Sequence, residues 1–288
     1  MAASDRRKQV GEKERDPLFD YFFALSVSPF VDIHFVVLVR TSVARVLEKA
    51  RAQNEQVVNE VCRALAEDLL ANPRPTPQVI RGFLVGDLLR AMGFRPSLIW
   101  RQKRRTWGMI KALIAGIRVS RRIAEYPLDD YLRYEFKKYA DAYVALFEND
   151  YKSVESALGA ISSTASSSDM TFQEAKLAFS SPDWKKRDAL VQRIRSEGCE
   201  LALQPHDDRH LRNALVHGSY SIEGEVLRCK DRDFQEETAI LDFMGKLMRL
   251  RAINEIVACV LVRDQEMTDK LARHWDPEWW TPTTRLGQ

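Results

Sequence analysis

Three of the five histidines, His206, His210 and His217, lie within one twelve-residue stretch of the chain. On a helix that advances by about 100° per residue, these three side chains and that of Asn213 share one stripe. The opposite side of the stretch is apolar. We therefore expect an amphipathic helix that begins near Pro205 and turns its histidine stripe toward a cleft or a partner.

Arg212, Asn213 and His217 carry the groups needed to cleave RNA without a metal. That reaction needs a base for the 2′-hydroxyl, an acid for the leaving oxygen and a cation that stabilises the charged phosphorane. An imidazole transfers protons near neutral pH, a guanidinium holds phosphate oxygens in a fork, and an amide orients either group. Gly218 directly follows and favours a helix end, which predicts that His217 lies in the last turn.

The spacing of Arg212 and His217 limits how these groups can meet. Residues five apart on an intact helix point about 140° away from each other, whereas Asn213 and His217 converge. Either the helix distorts at its glycine end, or Arg212 bends across while a second chain completes the site. The second alternative predicts a functional dimer.

The string Leu211–Gly218, followed by a predicted short hairpin and a long helix, resembles the HEPN superfamily (higher eukaryotes and prokaryotes nucleotide-binding domains). The signature of that superfamily is an arginine, often followed by asparagine, then three to five further residues and a histidine. The pattern of Arg212, Asn213 and His217 is similar to that of prokaryotic HEPN proteins in toxin–antitoxin and abortive-infection systems. The resemblance covers about residues 127–265.

This resemblance implies a helical bundle, usually dimeric, in which two motif copies form one metal-independent endoribonuclease site. Arg212 and His217 would be catalytic and Asn213 a polar helper. The implied partners are RNA, a second copy of the chain and an antitoxin or regulatory protein. One departure concerns control by adenylylation, because the tyrosine that follows the motif histidine by two residues in such toxins is replaced here by Ser219. Tyr220 comes one residue later.

His206, His210 and Arg209 are predicted to line the RNA-facing cleft, and no metal or cofactor is expected. One alternative is that these side chains are simply solvated. Another, for the two histidines, is a zinc site with Cys199 or Asp207, since a spacing of four places two ligands on one helix face. Two further interpretations of the motif stay open. The domain either binds RNA or a protein without cleaving, or is a helical scaffold whose motif is accidental.

A second candidate surface is the stretch 95–122, which holds nine lysines and arginines and no acidic residue. Such a segment suits binding of a phosphate backbone, and Trp100 and Trp107 offer rings on which bases stack. The alternative is an ordinary solvated helix face with its tryptophans in the core. The residues predicted to contact RNA are Arg101, Arg104, Arg105, Lys111 and Arg118.

Hydrophobic periodicity and stop signals predict an all-α helical bundle with a small β-hairpin, preceded by an N-terminal helical region. Helices are expected near residues 30–52, 55–71, 77–92, 97–124, 127–149, 171–180, 183–197 and onward from 205. The serine-rich stretch Ser162–Ser168 predicts a flexible loop. A Glu-Gly turn predicts a hairpin over Tyr220–Cys229, and a long helix should run from about Phe234 to Arg263.

These elements divide into four predicted regions. Residues 1–16 form a flexible arm, 17–126 an N-terminal helical region with the basic helix, 127–270 the HEPN-like domain and 271–288 an aromatic tail. Within the tail, Trp275, Trp279 and Trp280 either dock on the body of the protein or recognise a partner, and we expect docking.

Composition sets the class of protein. Glycine (12) and proline (11) are scarce among 288 residues, and 30% charged with 45% hydrophobic residues is typical of a globular chain. A net charge of +3 means that RNA binding needs a local patch. Four scattered cysteines without a CxxC pair predict reduced thiols and a cytoplasmic location. The apolar run 21–39 is broken by Pro29 and carries Asp32, which disfavours a membrane span.

Overall fold

The computed structural model describes residues 31, 33–72, 128–224, 226–232 and 234–275. Of these residues 78% are helical, and a three-stranded antiparallel sheet completes the fold, so the mostly helical prediction is confirmed. The predicted arm, the helices near 77–92 and 97–124 and the tail after Trp275 lie outside the described residues. Within the described part, no helix is both long and apolar enough to cross a membrane.

The first helix, α1 (Ile33–Ala71), supplies one side of the core. It is interrupted at Asn54, whose φ of −152° and ψ of 90° are not helical. The Asn54 side chain accepts a hydrogen bond from the Val57 amide at 3.3 Å and so caps the second half of the helix. The sequence prediction of two helices that meet near this residue is confirmed.

A second helical run passes through three segments without leaving the helical path. Helix α2 (Leu128–Ala145) continues through a π-helical segment (Leu146–Tyr151) into α3 (Lys152–Ala165). Almost every residue of α3 is buried against its neighbours, chiefly α1. Gly159 of α3 faces α4 and α5, where Phe179 and Leu190 lie closest to it.

The predicted serine-rich loop is wrong for its first four residues, Ser162–Ala165, because they form the buried end of α3. The hydroxyls of Ser163 and Thr164 are satisfied inside the helix: Ser163 donates to the Gly159 carbonyl at 2.8 Å and Thr164 to the Ala160 carbonyl at 3.1 Å. Arg193 also donates to the Ser163 hydroxyl. Tertiary packing therefore outweighs the turn preference of serine.

Helices α4 (Phe172–Ser180) and α5 (Trp184–Ser196) follow as predicted, capped by Thr171 and Asp183. A 3₁₀ turn (Glu200–Leu203) then leads to two short helices, α6 (Gln204–Asp207) and α7 (Arg209–Val216). The prediction of one continuous helix from Pro205 to His217 is wrong, because Asp208 interrupts it with a φ of −80° and a ψ of 14°.

The sheet has the order β1 (Tyr220–Glu223), β2 (Val226–Asp231), β3 (Phe234–Ala239). The predicted hairpin is confirmed, with Gly224 at a φ of +61° in its turn. The prediction that a helix begins at Phe234 is wrong: this segment pairs with β2, and Thr238 is buried opposite Leu227. Glu236 and Glu237 favour a helix locally, but the backbone of this segment forms its hydrogen bonds with β2 instead.

Two helices close the fold, α8 (Ile240–Val262) and α9 (Gln265–Trp275). Residues predicted to begin the tail are helical, and Trp275 is only 5% exposed, which confirms that this tryptophan docks on the body. Helix α8 packs on α1 and on the π-helical segment. Aromatic contacts tie it to α2, with Phe243 ring centres 5.0 Å from Phe136 and 5.7 Å from Tyr143.

Candidate functional site

Helix α7 carries the motif and is fixed between β2 and α2. Leu211, Ala214 and Leu215 are buried and hold its apolar side. At its end, the Ser219 amide donates to the Ala214 carbonyl at 2.8 Å and the Gly218 amide to the Leu215 carbonyl at 3.3 Å. This is a Schellman motif, and the Gly218 φ of +64° completes it.

His217 occupies the C-terminal cap of α7, as predicted, and it is exposed. Its amide donates to the Asn213 carbonyl at 3.0 Å, so the residue still follows the helical path. Its imidazole therefore lies on the same face of α7 as Asn213, one turn further along. The face is open to solvent at this end.

Asp231, at the end of β2, organises the rest of this face. Its Oδ2 atom lies 2.8 Å from His210 Nδ1 and accepts a hydrogen bond from Asn213 Nδ2 at 2.9 Å. Those bonds, Asn213 first and then His210, lower the pKa of the Asp231 carboxyl. The His210 ring also stacks on Phe234 with 4.5 Å between centres. We call these four residues the Asp231 cluster.

Asp231 and Phe234 were not predicted from the sequence as site residues. Both flank the turn between β2 and β3, where the sequence predicts a hairpin that ends at Cys229 and a helix that begins at about Phe234. A signal for Asp231 was present, since it is an acidic residue just after the predicted hairpin, which ends at Cys229. Because β3 was not predicted, the closeness of Asp231 to α7 was not predicted either.

Arg212 lies on the other side of α7. Its Nε atom is 3.2 Å from Glu148 Oε1, and its guanidinium carbon is 5.2 Å from the centre of the Phe147 ring. Lys152 also pairs with Glu148. Among the described contacts, Arg212 and His217 make none with each other, in agreement with their expected angular separation. Glu148 and Phe147 were not predicted as neighbours.

His206 does not share the exposed stripe, which corrects the prediction for that residue. It is 6% exposed, and its Nδ1 lies 2.6 Å from Oε1 of Glu155 in α3. The break at Asp208 separates its direction from that of α7, so the residue faces the core. The zinc alternative gains no support, because His206 and His210 contact different carboxylates and no metal-binding group of three ligands occurs among the described residues.

The remaining predicted RNA contacts have separate outcomes. Arg209 is partly exposed at the start of α7. The basic residues of the second candidate surface, and Trp100 and Trp107, lie outside the described residues. Nothing in the structure tests their role, so their contact with RNA stays a prediction.

A second charged cluster anchors the start of α7. Lys246 of α8 donates to Asp208 Oδ1 at 2.7 Å and to Glu236 Oε1 at 2.8 Å. Burial raises the pKa of the Asp208 carboxyl. Burial also opposes the charged form of Lys246, but its two hydrogen bonds outweigh that effect and raise its pKa. This cluster joins the α6–α7 junction to β3 and α8, and so fixes the direction of α7.

Comparison of the chain with family models, curated proteins and solved structures found no match. A function for the chain is therefore inferred from the side chains of α7 and their neighbours.

Proposed function

We propose that the protein is a metal-independent endoribonuclease of the HEPN type that acts as a dimer and serves as the toxin or effector of a prokaryotic defence system. The observation that carries the proposal is the arrangement of α7. One face carries Asn213, which donates a hydrogen bond to Asp231, and His217 at the C-terminal end of the helix. The opposite face carries Arg212. These are the proton-transfer group, the polar helper and the cation that the chemistry needs.

The expected reaction is transesterification of the RNA backbone. The 2′-oxygen loses its proton and attacks phosphorus, the bond from phosphorus to the 5′-oxygen breaks, and that oxygen receives a proton. The products carry a 2′,3′-cyclic phosphate and a 5′-hydroxyl. Single-stranded or looped RNA is the expected substrate, because its backbone can adopt the in-line geometry that the attack requires.

The placement of Arg212 on the opposite face favours a site shared by two chains. Within one chain this guanidinium points toward the π-helical segment, away from His217. In a dimer with twofold symmetry, Arg212 of one copy can approach the His217 face of the other. Exposed Val216 and Phe234, which border that face, offer apolar surface to a second copy.

The decisive experiment is incubation of the purified protein with mixed RNA in EDTA. We expect cleavage that leaves 2′,3′-cyclic phosphate ends and that is lost in His217→Ala and Arg212→Ala. His34→Ala and Arg63→Ala, which change exposed residues of α1, are the matched controls and should retain activity. Cleavage that EDTA abolishes, or wild-type protein that leaves RNA intact, would contradict the proposal.

A second candidate function is a HEPN module that binds RNA or a regulatory protein without cleaving. The observation that favours it is the ion pair of Arg212 with Glu148, which engages the guanidinium that a catalytic site must offer to phosphate. Retention of RNA by the wild-type protein, with no cleavage products at any protein concentration, would support this candidate over the nuclease.

A further inference from the structure

We infer that His210, oriented by Asp231, is the general base of the reaction and that His217 is its general acid. This inference rests on the proposed nuclease function and deepens it by assigning the two proton transfers to different residues. The motif of Arg212 and His217 contains one imidazole, whereas the reaction needs both a base and an acid. The structure brings a second imidazole to the same face of α7.

The contact with Asp231 determines which nitrogen of His210 is free. Asp231 Oδ2 lies 2.8 Å from Nδ1 and also accepts from Asn213, which is the pattern of an ionised acceptor. The proton of the neutral imidazole is therefore held on Nδ1, and Nε2 keeps its lone pair. No described residue hydrogen bonds to Nε2, and the side chain is 36% exposed. A carboxylate that orients a histidine in this way is a general device for proton abstraction.

The contact with Asp231 fixes the tautomer of His210, and packing against Phe234 fixes the orientation of its ring. The imidazole lies nearly parallel to the Phe234 ring, with 19° between planes and 4.5 Å between centres. A ring held on one edge by a carboxylate and on one face by an aromatic ring has little freedom to rotate. Such a base is positioned before substrate binds.

The spacing of the two histidines suits in-line attack. His210 and His217 are seven residues apart, which is two turns or about 10 Å along the axis, with an offset of only about 20° around it. In-line displacement places the attacking and leaving oxygens on opposite sides of phosphorus, so the base and the acid must approach from two ends. The face between the imidazoles is where the phosphodiester would lie, beside Asn213.

The proton transfers balance without any further reactant. Nε2 of His210 takes the proton from the 2′-hydroxyl as the bond from that oxygen to phosphorus forms. Protonated His217 gives its proton to the 5′-oxygen as the bond from phosphorus to that oxygen breaks. The protein ends with one proton more on His210 and one fewer on His217, and exchange with water restores both.

The test uses two variants that separate catalysis from structure. His210→Asn retains a donor close to the Nδ1 position, and therefore the bond to Asp231, but cannot take up a proton. We expect a loss of kcat of at least about a hundredfold, the usual scale for a general base, with RNA binding and melting temperature close to those of the wild type. Asp231→Asn should lower kcat by about tenfold or more, and Asp231→Glu should recover part of it.

A substrate with sulfur in place of the bridging 5′-oxygen distinguishes the base from the acid, because a thiolate leaves without being protonated. His217→Ala should regain most of its activity on this substrate, whereas His210→Asn should not. Rescue of His210→Asn by the sulfur substrate, or wild-type kcat in that variant on ordinary RNA, would overturn the assignment of the base.

The outcomes for the two proposals are distinguishable. A wild-type protein that leaves RNA intact overturns the nuclease and this inference together. Cleavage that is lost in His217→Ala but persists in His210→Asn overturns the inference alone. A parallel fall of kcat and melting temperature in His210→Asn, with full recovery of kcat at low temperature, would assign His210 a structural role instead.

Discussion

Arg212 is the motif residue whose surroundings differ most from those of a free phosphate-binding group. Glu148 pairs with both Arg212 and Lys152, and Phe147 lies against the guanidinium. Glu148, Phe147 and Lys152 all come from the helical run that ends in α3. A phosphate must therefore compete with one carboxylate for this arginine, and Glu148 sets how readily Arg212 is released.

Replacement of Glu148 by glutamine should tighten RNA binding. The amide keeps the shape of the side chain but removes the charge that holds Arg212, and an ion pair of this partly exposed kind contributes at most about 1 kcal/mol, or about fivefold in affinity. Fluorescence anisotropy with a labelled single-stranded RNA measures the change. Glu237→Gln is the control, since Glu237 is an exposed glutamate that pairs with Arg228. Equal gains in both variants would mean that only net charge matters.

Asp150 makes stability depend on pH. Burial, followed by the nearby charge of Glu255, raises its pKa from 3.8 to about 7. The unfolded chain ionises this carboxyl near pH 4, whereas the folded protein retains the proton. Its contribution to stability is therefore fully present below about pH 4 and is lost as the pH rises to about 7.

Asp150→Asn should abolish this part of the pH dependence. Urea unfolding between pH 4 and pH 8 measures it, and the slope that the variant removes integrates to a few kcal/mol at most, at about 1.4 kcal/mol per pKa unit. Asp141→Asn, which changes an exposed carboxylate on α2, is the control and should leave the slope unchanged. An identical pH profile for Asp150→Asn and wild type would contradict the assignment.

At the scale of elements, local signals in the sequence predicted what short-range contacts determine. The predicted helices near residues 171–180 and 183–197 and the Glu-Gly turn are confirmed, and Thr171 and Asp183 cap the two helices. The break in α1 at Asn54 belongs to the same class. Those signals need no knowledge of the tertiary fold.

The errors all involve contacts that the local residue pattern does not specify. The β3 strand forms by pairing with β2, and the end of α3 is buried where Arg193 of α5 donates to the Ser163 hydroxyl. The interruption at Asp208 accompanies its ion pair with Lys246, 38 residues away. The same holds for the candidate site. The motif of α7 could be predicted from the sequence, whereas the position of Asp231 beside it follows from the strand pairing of the sheet.

The end of α7 offers a test of how helix termination positions the site. Gly218 and Gly224 have nearly equal positive φ values, +64° and +61°, and a Cβ at either position would meet no atom within 4 Å. Alanine at each should therefore cost a similar amount, roughly 1–2 kcal/mol, through backbone strain alone. Only Gly218→Ala should also reduce RNA cleavage, because it displaces His217. Thermal unfolding and cleavage rates measured below both melting temperatures check this, and equal cleavage rates would contradict it.

The contact between α3 and α4 predicts a reversal of the usual effect of glycine. Alanine in place of a helical glycine normally stabilises by about 1 kcal/mol, but a Cβ at Gly159 would lie 2.9 Å from Phe179 Cε2. Overpacking of this kind costs about 1–3 kcal/mol, so Gly159→Ala should destabilise the protein. In a Phe179→Ala background the same change should stabilise. Urea unfolding of the four proteins measures both effects, and stabilisation in both backgrounds would contradict the close packing.

At the scale of the whole molecule, the core and the candidate site are built from different sets of elements. Helices α1, α3 and α8 bury most of the apolar residues, whereas α7 and the sheet lie against α2 and α8 and keep one face open. The Asp231 cluster joins α7 to the sheet, and the Lys246 ion pairs join both to α8. Variants of the open face should therefore alter activity without unfolding the core.

A mixture of two inactive variants tests the dimer directly. If each site takes Arg212 from one chain and His217 from the other, a dimer of Arg212→Ala with His217→Ala holds one site that lacks both groups and one that is intact. Equal mixing makes half of the dimers mixed, so about one quarter of wild-type RNA cleavage should return.

Each variant alone is the control, and sedimentation must show that the chains exchange. Complementation would establish that the two faces of α7, which point away from each other in one chain, complete each other across the twofold axis. If the chains exchange but the mixture does not cleave RNA, a single chain must bend Arg212 toward His217, past the Glu148 carboxylate that pairs with it.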